Sequence, residues 1–272
     1  MDKIACIGSG NMGLALMKGA SSVVGGANIF FADADAEKAR TAAASLQTAV
    51  YNSNVDAVEN GEFVFLAVKP QILPQVLAEI APMAKKRFDG GFPPVLVSMA
   101  AGWPISKIQE AVGAKLPVVR IMPNTPALIG RGMIALAASP EVPQEKTNEL
   151  KKILSGAGTV DQLDEHYMDA VTGLSGSGPA FVCLFIDALT DGGVQAGLPR
   201  DKALHYAVQT VLGAAAMVQE TGKQPTELKD MVTSPGGTTI AGLAALEDGA
   251  FRGTVIKAVE AARRRSIELA SQ

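Results

Sequence analysis

Through the first half of the chain, short apolar runs alternate with stretches whose apolar positions recur every three or four residues. Runs at 4–7, 29–32, 63–68, 95–99 and 118–121 predict strands, and 49–51 is a weaker run of the same kind. The stretches 11–20, 36–46, 72–83 and 105–112 predict helices. Asp35 is placed to cap the second of these with its carboxylate, and Pro74 falls where a first helical turn tolerates proline. Strands that are largely apolar on both faces, alternating with helices, point to a parallel sheet covered on both sides. Runs at 133–138 and 159–163 add one or two edge strands around a helix at 144–154.

From about Asp164 the strand signals stop and the helical ones continue. Phe181, Leu184, Phe185, Ala188 and Leu189 form one stripe, and Leu204, Val208, Val211, Leu212 and Ala215 form another. Gly192-Gly193 and Gly197-Leu198-Pro199 read as breaking or ending the first helix, and 222–225 as ending the second. Helices at 239–246 and 255–270 complete the set. The expected architecture is an α/β Rossmann-type domain with a mostly parallel sheet over residues 1–163, followed by an all-α domain over 164–272.

Composition narrows the chemistry. Of the 272 residues 48% are hydrophobic but only 5% aromatic, so the core is built from Ala, Val, Leu, Ile and Met. Small residues permit close helix–helix approach. A net charge of −3 gives no reason to expect a nucleic-acid partner, and Arg263-Arg264-Arg265 reads as a solvated or interface face. Cys6 and Cys183 lack metal-ligand spacing and read as buried free thiols, consistent with a reducing cytoplasm. With His166 and His205 the only histidines, a histidine-rich metal site is not expected, and no metal is assigned. Met1-Asp2-Lys3 leads into a strand and a glycine turn, which reads as a chain without a leader. The apolar run at 179–186, broken by Asp187, reads as too short to span a bilayer, so no membrane partner is expected.

Gly8-Ser9-Gly10-Asn11-Met12-Gly13 is a G-x-G-x-x-G pattern that follows a predicted strand and opens a predicted helix. In that context the glycines let backbone amides approach a pyrophosphate at a helix N-terminus. Asp33 ends the next strand, where an acid can bond an adenosine ribose. Its charge opposes a 2′-phosphate and no arginine follows directly, which leans the reading toward NADH or dual use; Lys38 and Arg40 are the nearest cations. Ala67-Val68-Lys69-Pro70, Met99-Ala100-Ala101-Gly102 and Met122-Pro123-Asn124-Thr125-Pro126 end later strands on the same side of the sheet. Lys69 reads equally as a catalytic cation or a surface lysine. Asn124 reads as a bond to a carboxamide or substrate, or as a turn former.

A second polar loop, Thr233-Ser234-Pro235-Gly236-Gly237-Thr238-Thr239, lies where an apolar helix begins. Its glycines allow consecutive amides to point at one spot, a receptor for a carboxylate or phosphate, though a hydroxyl-capped turn has the same composition. Leu174-Ser175-Gly176-Ser177-Gly178-Pro179 is a further polar glycine segment, best read as a helix cap with proline in the first turn.

Together these residues resemble the Δ1-pyrroline-5-carboxylate reductase family over essentially the whole chain. The resemblance rests on the glycine loop, Ala67-Val68-Lys69-Pro70, Asn124-Thr125-Pro126, the segments 172–180, Asp191-Gly192-Gly193 with Gly197-Leu198-Pro199, and the stretch from Leu228-Lys229-Asp230 to Thr239. It implies a Rossmann domain followed by a helical dimerisation domain interlocked with a second subunit, the dimers assembling into a larger ring. It implies reduction of the cyclic imine 1-pyrroline-5-carboxylate to L-proline by NADPH or NADH. The substrate carboxylate is then expected on Ser234, Gly237, Thr238 and Thr239, with Thr239 near the ring nitrogen. Asn54 and the Met99-Ala100-Ala101 turn are implied as cofactor contacts, beside Gly8–Gly13, Asp33, Ala67, Val68, Lys69, Pro70 and Asn124. Many family members carry serine or a similar residue where this chain has Asp33. A β-hydroxyacid dehydrogenase would need an acid–base lysine in the apolar stretch 181–189, where there is none.

Overall fold

The computed structural model describes residues 3–270; Met1 and Asp2, at the head of the expected leaderless start, lie outside the described residues. The chain forms two compact units, Met1–Ser177 with Ala261–Gln272, and Gly178–Glu260.

The first unit is built on β1 (Ile4–Ile7), β2 (Ile29–Ala32), β3 (Ala49–Val50), β4 (Phe63–Leu66), β5 (Val95–Ser98), β6 (Val118–Met122), β7 (Gly132–Ala138) and β8 (Gly158–Gln162). They form one sheet in the order β3-β2-β1-β4-β5-β6-β7-β8. Every neighbouring pair is parallel except β6 and β7, which are antiparallel. Helices α1 (Asn11–Val24), α2 (Ala36–Leu46), α3 (Asn54–Asn60), α4 (Leu73–Asp89), α5 (Ile105–Val112), α6 (Gln144–Leu154) and the short α7 (Met168–Val171) complete the first stretch of chain.

Strand periodicity sorts the core into two layers. Ile4, Cys6, Phe63 and Phe65 pack with residues of α1, α2 and α6 on one face. Ala5, Ile7, Val64 and Leu66 pack with residues of α3, α4 and α5 on the other. Phe31, Phe63 and Phe65 are fully buried, each contributing roughly 2–3 kcal/mol of transfer free energy. The bounds of α2, α5 and α6 match the sequence reading, and the Asp35 carboxylate accepts from Glu37 N and Lys38 N as the cap of α2. The seven-residue α3 was not expected; Ser53 Oγ caps it by accepting from Asp56 N at 3.0 Å.

Pro179 stands in the first turn of a helix as expected, but the segment before it is more than a simple cap. Thr172–Gly176 is a π-helical turn, closed by Ser177 N donating to Thr172 O at 2.9 Å. The hydroxyls of Thr172, Ser175 and Ser177 bond back to carbonyls of the same stretch. The end of the chain returns to this unit. Ser266 Oγ donates to Asp169 Oδ1 at 2.7 Å, and the Gly102 backbone lies against Leu269–Ala270. Gly102 has φ +75° and a Cβ there would meet the Leu269 carbonyl carbon at 2.9 Å, so this turn requires glycine on both counts.

The second unit holds α8 (Gly178–Gln195), α9 (Arg200–Thr221), α10 (Pro225–Met231), α11 (Thr238–Asp248) and the start of α12 (Phe251–Ala270). The short α10 was not expected. Gly192-Gly193, read as a break, lies inside α8; a Cβ on Gly193 would meet Ala203 Cβ at 3.0 Å, so the residue serves close packing of α8 on α9. The helix ends at Gly197, φ +98°. The apolar stripes do not close on themselves: Leu184 is 71% exposed and Leu212 58%. Cys183, expected to be buried, is exposed for the same reason, whereas Cys6 is buried. The estimate of membrane length also needs correction, since the helical stretch Glu165–Gln195 is long and apolar enough to cross a bilayer by length and composition.

Candidate active site

The cofactor side is set where the strand order turns back, between β1 and β4, at the carboxyl ends of the strands. Gly8 N donates to Ala32 O and Ala67 N to Ile7 O, each at 2.8 Å, so three strand ends meet at one point. Gly8 has φ +100° and a Cβ there would meet Ala67 O at 2.6 Å. A Cβ on Gly13 would meet Gly8 O at 2.7 Å, which is the close approach of α1 to the strand. Gly10 differs, with open space on the side where its Cβ would stand. It is the extended N-cap of α1 and supplies no side-chain cap, so the first-turn amides around Asn11 and Met12 are left for an outside acceptor. This cradle fits a dinucleotide pyrophosphate.

A cleft of about 300 Å³ opens beside it, lined in part by Gly8, Gly10, Asp33, Asn54, Val68 and Lys69. Asp33 Oδ2 accepts from Ser9 N at 2.8 Å and from Ser9 Oγ at 2.6 Å, and its Oδ1 accepts from Asp35 N at 3.0 Å. Partial burial pushes this carboxyl up, but the Ser9 and Asp35 hydrogen bonds and the Lys38 charge outweigh it and hold the pKa below the ordinary aspartate value. Asn54 Nδ2 donates to Glu79 Oε2 at 2.8 Å. The Lys69 carbonyl accepts from Ile72 N and Leu73 N at the start of α4, and its side chain is exposed.

Pro70 and Ala101 line a second cavity of about 250 Å³ with Gln71, Pro74, Trp103 and Lys107. Lys107 Nζ stands 4.6 Å above the Trp103 ring, a pairing that helical spacing alone does not flag. Met99 is half-buried and Ala100 buried. Asn124 is committed at both ends of its amide: Oδ1 accepts from Met133 N at 2.9 Å, and Nδ2 donates to Ser175 O at 3.0 Å. It therefore ties the end of β6 to β7 and to the π-helical turn. Arg120, hidden in an apolar run, is buried and meets Glu165, which also accepts from Ile105 N at 2.8 Å.

In the second unit Ser234, Gly237, Thr238 and Thr239 come together at the start of α11. Gly236 has φ +67°, and Gly237 N donates to Ser234 O at 3.1 Å, closing a tight turn. A Cβ on Gly237 would overlap Ser234 Oγ, so the serine hydroxyl lies at the mouth of the helix. Gly237 caps α11 without a side chain, and the first intrahelical amide bond runs from Ala241 N to Gly237 O. The amides of Thr238 and Thr239 thus face outward at a helix N-terminus, with hydroxyls on either side.

The family model described as pyrroline-5-carboxylate reductase dimerisation matches residues 165–269. One described as NADP oxidoreductase, coenzyme F420-dependent, matches residues 3–102. A pyrroline-5-carboxylate reductase of Glycine max is 44% identical over 97% of this chain and 94% of its own length. The chain belongs to the pyrroline-5-carboxylate reductase family. The solved structure of the reductase from Coxiella burnetii superposes with a TM-score of 0.91 at 31% identity, covering 99% of this chain and 98% of that one. That of the Plasmodium falciparum pyrroline carboxylate reductase, with NADP bound, superposes with a TM-score of 0.86 at 32% identity over 99% and 98%. As a member of the pyrroline-5-carboxylate reductase family with a dimerisation segment, the protein is a homo-oligomer.

Proposed function

We propose that the protein reduces the C=N bond of 1-pyrroline-5-carboxylate to L-proline, the last step of proline synthesis. The observation that carries this reading is the uncapped start of α11. There Thr238 and Thr239 offer outward amides beside the Ser234 hydroxyl, on the turn that Gly237 closes, within the segment that matches the family's dimerisation model. A bound nicotinamide dinucleotide supplies the hydride.

Gly8, Ser9, Gly10, Asn11, Met12 and Gly13 hold the cofactor's pyrophosphate, with Asp33, Asn54, Ala67, Val68, Lys69 and Pro70 along its adenosine side. Met99, Ala100 and Ala101 form the turn on its nicotinamide side, and Asn124 positions that edge through its two amide bonds. Ser234, Gly237, Thr238 and Thr239 take the substrate carboxylate on amides and hydroxyls, and the charge is favoured at a helix start. Thr239 hydrogen-bonds the ring nitrogen or relays a proton to it through water, because a threonine hydroxyl is itself a poor acid. Catalysis is then mainly orientation of carbon and hydride.

Residues 1–163 act as the dinucleotide-binding domain and 164–272 as the dimerisation and substrate domain. The helical domains of two subunits interlock, dimers assemble into a larger ring, and the enzyme works in the cytoplasm. Both NADPH and NADH serve. The test is oxidation of each cofactor by the purified protein with and without pyrroline-5-carboxylate; turnover is expected only with the imine, and no turnover with either cofactor sinks the reading.

A further inference from the structure

Asp33 directly follows β2, the place from which a carboxylate reaches the two hydroxyls of an adenosine ribose. Before any ribose arrives, three donors are already on it. Ser9 supplies two of them to a single oxygen, Oδ2, through its amide at 2.8 Å and its hydroxyl at 2.6 Å. Asp35 N supplies the third, to Oδ1. A carboxylate offers about four acceptor sites, so roughly one is left, and a two-pronged grip on a cis-diol needs two. The two amides are fixed by the glycine loop and the turn after β2. Only the Ser9 hydroxyl can rotate away, and only it can accept as well as donate. Lys38 lines the same cleft, with Nζ 3.4 Å from Asp35 Oδ2 on the exposed side.

These contacts bear on a tension within the cleft. An acid at this position favours a free 2′-hydroxyl and repels a 2′-phosphate, yet the matching N-terminal family model is one of NADP oxidoreductases. We propose that Ser9 is a specificity-determining residue of the cofactor cleft. By holding Asp33 Oδ2 against the glycine loop, it withholds the two-pronged ribose grip and lets a 2′-phosphorylated ribose enter beside Lys38. This rests on the dinucleotide-binding reading above. Ser9 acts through Asp33: releasing the carboxylate strengthens binding of the unphosphorylated cofactor and turns a freer negative charge toward the phosphorylated one.

The experiment measures dissociation constants of NADH and NADPH by calorimetry, without imine, for wild type, Ser9→Ala, Ser9→Thr, Asp33→Ser and the Ser9→Ala/Asp33→Ser double variant. Ser9→Ala is expected to move the affinity ratio toward NADH by about fivefold or more, the scale of one charge-assisted hydrogen bond. Ser9→Thr keeps the wild-type ratio, because the hydroxyl is retained. In the Asp33→Ser background, Ser9→Ala is expected to change the ratio by less than about twofold. An unchanged ratio in Ser9→Ala overturns the proposal, as does an equal shift in both backgrounds, which would mean that the Ser9 hydroxyl sets the ratio without acting through Asp33. Wild type binding neither cofactor overturns the dinucleotide reading and this proposal with it; wild type binding both with an unmoved ratio overturns this proposal alone. If Ser9→Ala fails to fold, Ser9→Gly makes the same comparison.

Discussion

Glu165 Oε1 lies 3.3 Å from Arg120 Nη1 and also takes the amide of Ile105, so one carboxylate oxygen joins β6, the start of α5 and the turn leading into α7. The Arg120 side chain is 5% exposed and that of Glu165 31%. Removing the acid strands a buried cation, whereas removing the arginine takes the buried charge away with it. Glu165→Ala is expected to lower unfolding free energy by about 3 kcal/mol, and Arg120→Met by less. Denaturant titration of both variants checks the order, and a reversed order would show that the Arg120 guanidinium contributes more to stability than its burial costs.

The glycine loop separates folding from binding. Gly8→Ala places a Cβ 2.6 Å from Ala67 O at a φ of +100°, and is expected to destabilise the fold by about 2 kcal/mol or more. Gly10→Ala meets nothing within 4 Å. It is expected to leave the melting temperature within a few degrees of wild type while weakening cofactor affinity at least about tenfold, since its Cβ would stand where a pyrophosphate must approach. Thermal melts paired with cofactor titrations read both; full affinity in Gly10→Ala would move the pyrophosphate elsewhere.

At the start of α11, Thr239→Ala removes a hydroxyl without touching the amides. Turnover with pyrroline-5-carboxylate is expected to fall by roughly 10- to 100-fold, with Thr239→Ser recovering most of it. Cofactor affinity should stay at the wild-type value. Wild-type kinetics in Thr239→Ala would remove the hydroxyl from the reaction.

The open stripe of the second unit gives a test of assembly. Leu184 is 71% exposed on α8 in the single chain. A carboxylate there would be buried unpaired in an interface made of such stripes, so Leu184→Glu is expected to shift the protein toward monomer in sedimentation experiments. A variant that keeps the wild-type oligomer would place the interface on another face.

Much of the first unit is legible in the sequence because its signals are local. The Asp35 cap, the 105–112 stripe and the 144–154 stripe set helix bounds that tertiary packing leaves unchanged. Helices α3 and α10 are too short for a periodic pattern to rise above background, and the Ser53 cap was the one available signal for α3. Arg120 is invisible for the opposite reason: a long apolar run masks a single polar residue whose partner lies 45 positions away. The stripes of α8 and α9 are readable as helices, but their pattern says only that something covers them. Burial of Cys183 could not be read from the run around it, because the single chain leaves that stripe uncovered.

The Gly102 turn rests against Leu269 and Ala270, so the first unit is finished by the last turns of the last helix. Domains generally fold as they leave the ribosome, the amino-terminal one first. Here that order is interrupted. When residues 1–177 have emerged, the turn at Gly102 still lacks its backing, and it stays so until the whole of 178–260 has been synthesised. Completion of the Gly102 turn therefore comes late in synthesis, after the helices of the second unit have been made. A nascent chain stalled before α12 would display a Rossmann sheet with that turn still uncovered.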